Sequence, residues 1–236
     1  MSPRRGPDLP YSVVAGVTSL GPRWLVASAK MAAATFAPEE PRIFQTFDEV
    51  LTERPSFSAI VVNAPIGYLS SPGSQARRCD VEARALLGRR AITVHNAPTR
   101  ATLSGELPWN ESHLDAVTLT LLSHYIEIAN AISSFRQRTV YSSNPELSFY
   151  LLNDLTPLGW SKKTSEGLSE RRTLLVKKIP GVNRIIDSDL AGAPEDHLLD
   201  ASALLWTARR VSNRAATRIP SEAEWDSEGL RMEMVF

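Results

Sequence analysis

The stretch V14-A-G-V-T-S-L-G-P-R-W-L-V-A-S-A29 decides how this chain folds. Two runs rich in branched and aromatic residues flank a Gly21-Pro22 break, the pattern of two strands joined by a turn. SVVAGV and RWLVASA therefore read as an antiparallel hairpin, with Thr18 at the exit of its first strand. A third strand is expected to begin near Thr35. Residues 46–54 suit a short helix capped by Thr46. SAIVVNAPIG, residues 58–67, is the clearest buried strand, a continuous apolar run stopped by Pro65 and Gly67.

Helices and strands alternate beyond that point. A helix is expected from Ser74 to Gly88, with Gly88 as its stop. The longest helical pattern covers residues 113–135, with Leu114, Val117, Leu121, Tyr125 and Ile128 at helical spacing. TVYSS is a short strand. Asn144 then caps a helix carrying Pro145 at its first position. Two more helices are expected over Ser165–Ile179 and Pro194–Asn213, and GLRMEMVF closes as an edge strand with one buried face. Loops are expected at 70–74 and 96–110. The order points to an α/β class with a mixed sheet: a disordered arm over residues 1–10 and a single domain over 11–236.

The totals exclude several classes. The 236 residues are 43% hydrophobic and carry 26 basic and 26 acidic side chains, so no global charge draws the chain to nucleic acid. Cys79 stands alone, which rules out an internal disulfide and makes a reducing cytoplasm the default location. Gly21-Pro22-Arg23 interrupts the segment that would have to serve as a signal core, and no run is long and apolar enough to span a membrane. No phosphate-binding glycine loop, paired-cysteine metal signature or nucleophile elbow is present. His113 and His124 share one helical pattern at a spacing that does not suit a metal. Trp206 and Leu204 read as core.

Six local patterns recur in a fixed order: NAPIG after a strand, RRCDVEARALLGRR, VYSSNPELSFYLLN, SKKTSEG, LLDASALLWTARR and GLRMEMVF. From about Gly16 to Phe236 this set resembles a family of predicted nucleases of ribonuclease H-like fold, domain-of-unknown-function family 429. The resemblance implies a mixed sheet of five or more strands that opens with an antiparallel meander and is flanked by helices. It also implies two divalent metals, Mg²⁺ or Mn²⁺, held by carboxylates at strand ends and on the last helix. Such ions need hard, preferably anionic, oxygen ligands.

Measured against that pattern, the acidic positions have changed. Gly16-Val17-Thr18 stands where the family has Gly-Val-Asp, and Asn63 stands where it has Asp. His197-Leu198-Leu199-Asp200-Ala201 replaces two acids three apart, so Asp200 stays in place and Asp196 lies one residue off register. Ser142 and Asn144 replace Glu and His. The basic positions persist: Arg78 and Arg84 with Asp80 on one helix, Arg100 in APTR, and Lys162-Lys163 in SKKT, with Glu146 inside a helix start. On residue type alone, Arg78, Asp80 and Arg84 would be an ion-paired helix surface, Lys162-Lys163 a solvated loop, and Glu146 a helix-dipole residue.

Three functions are compatible with this pattern. The first is a degenerate nuclease that still binds nucleic acid, a nucleotide or another phosphate-rich ligand through Arg78, Arg84, Arg100, Lys162 and Lys163. Catalysis would then be weak or absent, with Mg²⁺ or Mn²⁺ held at Asp200 and Asp196 or no metal at all. The second is an active metal-dependent nuclease with a rearranged site drawn from Asp200, Asp196, Asp80 and Glu146, with His197 as ligand or base. The third is a non-catalytic scaffold that works through protein contacts. Oligomeric state is not readable from the chain.

Overall fold

The computed structural model describes residues 10–236 other than 33, 34, 72, 74, 75 and 113. The arm expected over residues 1–10 lies, but for Pro10, outside them. β1 (Ser12–Leu20) and β2 (Arg23–Ala32) form the hairpin, paired from Ser12 with Met31 to Leu20 with Arg23. β3 (Thr35–Pro38) and β4 (Arg42–Phe44) both pair antiparallel with β2. On the far side of β1, β5 (Phe57–Val62) and then β6 (Val140–Ser142) add in parallel. The result is a six-stranded mixed sheet in the order β3-β2-β1-β5-β6, with β4 also on β2.

Helices cover both faces, and the two-residue period of β1 assigns its side chains to them. Val13, Ala15 and Val17 join Trp24, Val26, Ile60 and Val62 under α1 (Phe47–Thr52) and α5 (Leu122–Ala131), which contribute Phe47, Val50 and Ile128. Val14 joins Leu25, Ala27, Ala29 and Val61 under α9 (Glu195–Ser212), which contributes Leu198, Ala201, Leu204, Leu205 and Ala208. Gly16 lies on the α9 side. A Cβ there would sit 2.2 Å from both the Ala201 carbonyl oxygen and the Leu205 nitrogen. The bare glycine lets helix and strand backbones touch. Thr18, two residues on, continues the same face toward the start of α9.

α2 (Arg78–Leu87) ends at Gly88 as expected but starts later than Ser74. The 113–135 pattern is not one helix. Asp115 caps α4 (Ala116–Thr120), and α5 follows after a break at Leu121. The threonines explain the break: Thr118 bonds Asp115 and the Asn96 carbonyl, and Thr120 bonds back to Val117 at 2.7 Å. Such local hydroxyl bonds compete with a continuous helix. The longest helix is α9, with 18 residues. The 96–110 loop contains α3 (Arg100–Ser104), capped by Thr99.

α6 (Pro145–Leu152) is capped by Asn144, and α7 (Ser165–Lys178) by Thr164. The short α8 (Asn183–Ile186) precedes α9. The last strand, β8 (Arg231–Val235), pairs with β7 (Arg218–Trp225) in a second, two-stranded sheet. Both of its faces are largely buried, because Glu233 is held between Arg218 at 2.5 Å and Arg231 at 3.4 Å. Among the described residues, no helix is long and apolar enough to cross a membrane.

Candidate functional site

β1, β5 and β6 run in parallel, so their carboxyl ends meet. Val17 pairs with Val62 and Val62 with Ser142, and the Asn63 amide donates to the Val17 carbonyl at 2.9 Å. Thr18, Asn63 and Ser142 therefore stand side by side: Asn63 just past β5, Ser142 at the end of β6, and Thr18 not at the exit of β1 as expected but two residues inside it, because the hairpin with β2 carries β1 on to Leu20. Open α/β sheets place ligand crevices outside these ends. Here the crevice is a cleft of about 700 Å³. The Ser161–Lys163 loop, α6 and the first turns of α9 form its polar wall. Ile92, Val94, Val117, Leu121 and Tyr125 supply its apolar lining.

Eight candidate site residues line this one cleft, beside Ser142 and Asn144. Thr18 comes from β1, Asn63 from just past β5, and Asp80 from α2. Glu146 comes from α6, Lys162 and Lys163 from the loop, and His197 and Asp200 from α9. Asp196, one turn before Asp200 on α9, touches both lysines. The structure does not bring Arg78, Arg84 or Arg100 to this lining. Arg78 is half exposed and paired with Glu82, and Arg84 donates to the Val94 carbonyl and to Asn96.

Arg100 is paired with Asp226 at 2.5 Å and Glu228 at 2.8 Å. Asp226 is buried but also accepts from the Tyr68 and Leu230 amides, and these donors with Arg100 hold its carboxyl below the usual range. A carboxylate depressed in the folded state contributes stability above its unfolded pKa, and loses it as pH falls through the folded value. Asp226→Asn is therefore expected to be less stable than the native protein near neutrality. The gap should shrink as pH drops below about 4. Urea midpoints measured from pH 7 to pH 2 check this, and a constant gap would contradict it.

Two ion networks build the polar wall. In the first, the Lys162 ammonium bonds Asp200 at 2.5 Å and stands 3.8 Å from Asp196, while Lys163 bonds Asp196 at 2.6 Å. Asp196 and Asp200 stack one turn apart on one helix face, which is why one lysine reaches both. Burial works against the Lys162 charge, but the Asp200 carboxylate more than offsets it and holds the ammonium above its ordinary pKa. Burial likewise pushes Asp200 up while Lys162 pulls it back. Asp196 is held low against burial by its Lys163 bond and the Lys162 charge. His197 is anchored by Nδ1, 2.9 Å from the Ser19 carbonyl oxygen, which ties α9 to the end of β1.

In the second network, Glu146 Oε1 accepts from Arg171 at 2.5 Å and Arg90 at 3.0 Å. Arg171 is fully buried, lies over the Phe149 ring, and is fixed by the Trp160 and Gly167 carbonyls. Glu146 Oε2 has no partner among the described residues. Asp80, also buried, is gripped by both ends of the Arg77 guanidinium, at 2.9 Å and 2.6 Å.

Arg77, which lines the cleft, and Arg90 and Arg171, which hold Glu146 from behind the lining, are the residues that reading the sequence missed. Arg171 sits in SEGLSERRTLLV, where it looks like any solvated helix charge. Arg77 had one cue, its spacing three residues before Asp80 at the helix start. Among the described residues, no group of three or more His, Cys, Asp or Glu side chains is arranged to hold a metal ion.

Fold and cleft define a mixed α/β protein with a charged crevice at the ends of its parallel strands. The family described as "Protein of unknown function (DUF429)" matches residues 16–225, and the chain belongs to that family. No significant match was found among curated proteins or among solved structures.

Proposed function

We propose that this is a ribonuclease H-like protein whose strand-end cleft binds a phosphate-bearing ligand the size of a nucleotide, with weak or no metal-dependent hydrolysis. The antiparallel β1-β2-β3 meander, extended by parallel strands beyond β1, supports the fold assignment. The observation that carries the functional reading is the Lys162 ammonium lodged between Asp200 and Asp196.

A pair of divalent ions does not fit this donor set. Both remaining α9 carboxylates are already bonded to lysine cations. Thr18 and Asn63 offer only neutral oxygens, Asp80 is committed to Arg77, and Glu146 already faces Arg90 and Arg171 through Oε1, which leaves Oε2 as a single anionic donor. Hard dications are held by anionic oxygen. An anion suits the wall better. Lys162, Lys163, Arg90 and Arg171 outnumber Asp196, Asp200 and Glu146 by one charge, and each ammonium has three donors of which the carboxylates use only part.

The cleft favours a compact ligand over a long strand of nucleic acid. Arg78, Arg84 and Arg100 are engaged elsewhere and do not extend the basic wall into a groove. The apolar lining is suited to a flat ring, and 700 Å³ is in the range of small-molecule sites. Calorimetry with a nucleoside monophosphate in excess EDTA tests the reading. Saturable binding is expected, weakened at least tenfold in Lys162→Ala and Lys163→Ala together. Binding that appears only with added Mg²⁺ or Mn²⁺ would reverse it, in favour of an active metal-dependent nuclease.

A further inference from the structure

The Glu146 carboxylate is used on one side only. Oε1 takes both guanidiniums, and Oε2, on a side chain 5% exposed in the cleft wall, has no hydrogen-bond partner among the described residues. A buried acceptor left unmade is unfavourable by an amount comparable to a lost hydrogen bond, so a donor is wanted there. A carboxylate oxygen is an acceptor. The complementary ligand group is an O–H or N–H.

The position of Glu146 says which group. Arg171, which bonds Glu146, also bonds the Trp160 carbonyl two residues before Lys162, so Glu146 adjoins the cationic end of the cleft. The apolar residues Ile92, Val94, Val117 and Leu121 line the same cleft, and Ile92 and Val94 follow Arg90, the second partner of Glu146. In a nucleotide, the sugar is the part next to the phosphate, and the base is farther away. A carboxylate oxygen is also the group that accepts from ribose hydroxyls in dinucleotide sites. We infer that Glu146 Oε2 accepts a hydrogen bond from the ribose hydroxyl pair of a ribonucleotide whose phosphate is held at Lys162 and Lys163. The site would thereby select ribonucleotides over 2′-deoxyribonucleotides. This inference rests on the phosphate-ligand reading above.

The test compares adenosine 5′-monophosphate, its 2′-deoxy counterpart and inorganic phosphate on the full chain by calorimetry. At least tenfold tighter binding of the ribonucleotide is expected. Glu146→Gln puts a donor where the free acceptor stood, and should abolish that preference while leaving phosphate binding in place. Glu146→Asp keeps the charge for both arginines but withdraws the oxygen by one methylene. It replaces the glutamine variant if that one does not fold, with the same expectation. Equal affinity for the two nucleotides in the native protein would overturn the inference and leave the phosphate reading standing. So would a preference that persists in a folded variant. Failure of all three probes to bind would overturn both.

Discussion

Gly16→Ala is expected to lose a large part of the protein's stability. The added methyl would sit 2.2 Å from two backbone atoms of α9, Ala201 O and Leu205 N, and 2.7 Å from the Leu204 carbonyl carbon. None of these is a flexible side-chain end that could swing aside. The helix would have to lift off β1, and with it Leu198, Leu204 and Leu205 would leave the core beneath the sheet. Overpacking a core with extra methylenes ordinarily destabilises by about 1–3 kcal/mol. Here backbone meets backbone, so a loss above about 4 kcal/mol is expected, large against a typical total of roughly 5–15 kcal/mol. Gly73→Ala is the control, because no described residue lies within 4 Å of a Cβ there. Soluble expression and thermal melting separate the two. A Gly16→Ala protein that melts with the native one would contradict the direct contact of α9 with β1.

Asp80→Ala is the second large effect. Arg77 and Asp80 side chains are each 3% exposed and pair through two bonds. Burial works against the Arg77 charge, and the Asp80 carboxylate more than restores it. Removing that carboxylate leaves a buried guanidinium with only the Ile66 and Gly67 carbonyls as acceptors. Breaking one side of a buried pair destabilises by about 3–5 kcal/mol. Replacing both members, as in Arg77→Met with Asp80→Leu, should be less harmful than the single change, since no charge is stranded. Arg78→Ala, which removes only half-exposed contacts to Glu82 and Glu224, should fall within about 1 kcal/mol of native. Urea denaturation of the four proteins checks the order. An Asp80→Ala protein as stable as Arg78→Ala would contradict it.

The same residues show how far the sequence could be read. Strand periodicity and the Gly21-Pro22 break are local signals, so the β1–β2 hairpin and the buried β5 were legible. Caps were legible for the same reason: Thr46, Asn144 and Gly88 act through neighbouring backbone groups. What local pattern does not encode is which strands lie side by side. The parallel joining of β5 and β6 to β1 brings Thr18, Asn63 and Ser142 together, and no spacing in the chain states it. Nor does spacing say where long charged side chains end. Arg100 reads as a free base in APTR, but its partner is Asp226, 126 residues away. Arg171 reads as solvated, and is fully buried on Glu146. The 113–135 pattern misled because apolar spacing outvoted Thr118 and Thr120, whose hydroxyls compete for the helix backbone.

The lysines matter most. Lys162 and Lys163 were legible as basic residues beside a depleted acidic set. Their contact with those acids was not. It changes the chemistry of the cleft, because the carboxylates that would attract a metal instead hold a fixed cation. Calorimetric titration of Mn²⁺ into the native protein and into Asp200→Ala is the most direct test. With Lys162 seated on Asp200, neither protein should show saturable binding below millimolar metal. Micromolar binding to the native protein that vanishes in Asp200→Ala would mean that metal displaces the lysine, and would contradict the metal-independent reading of the site.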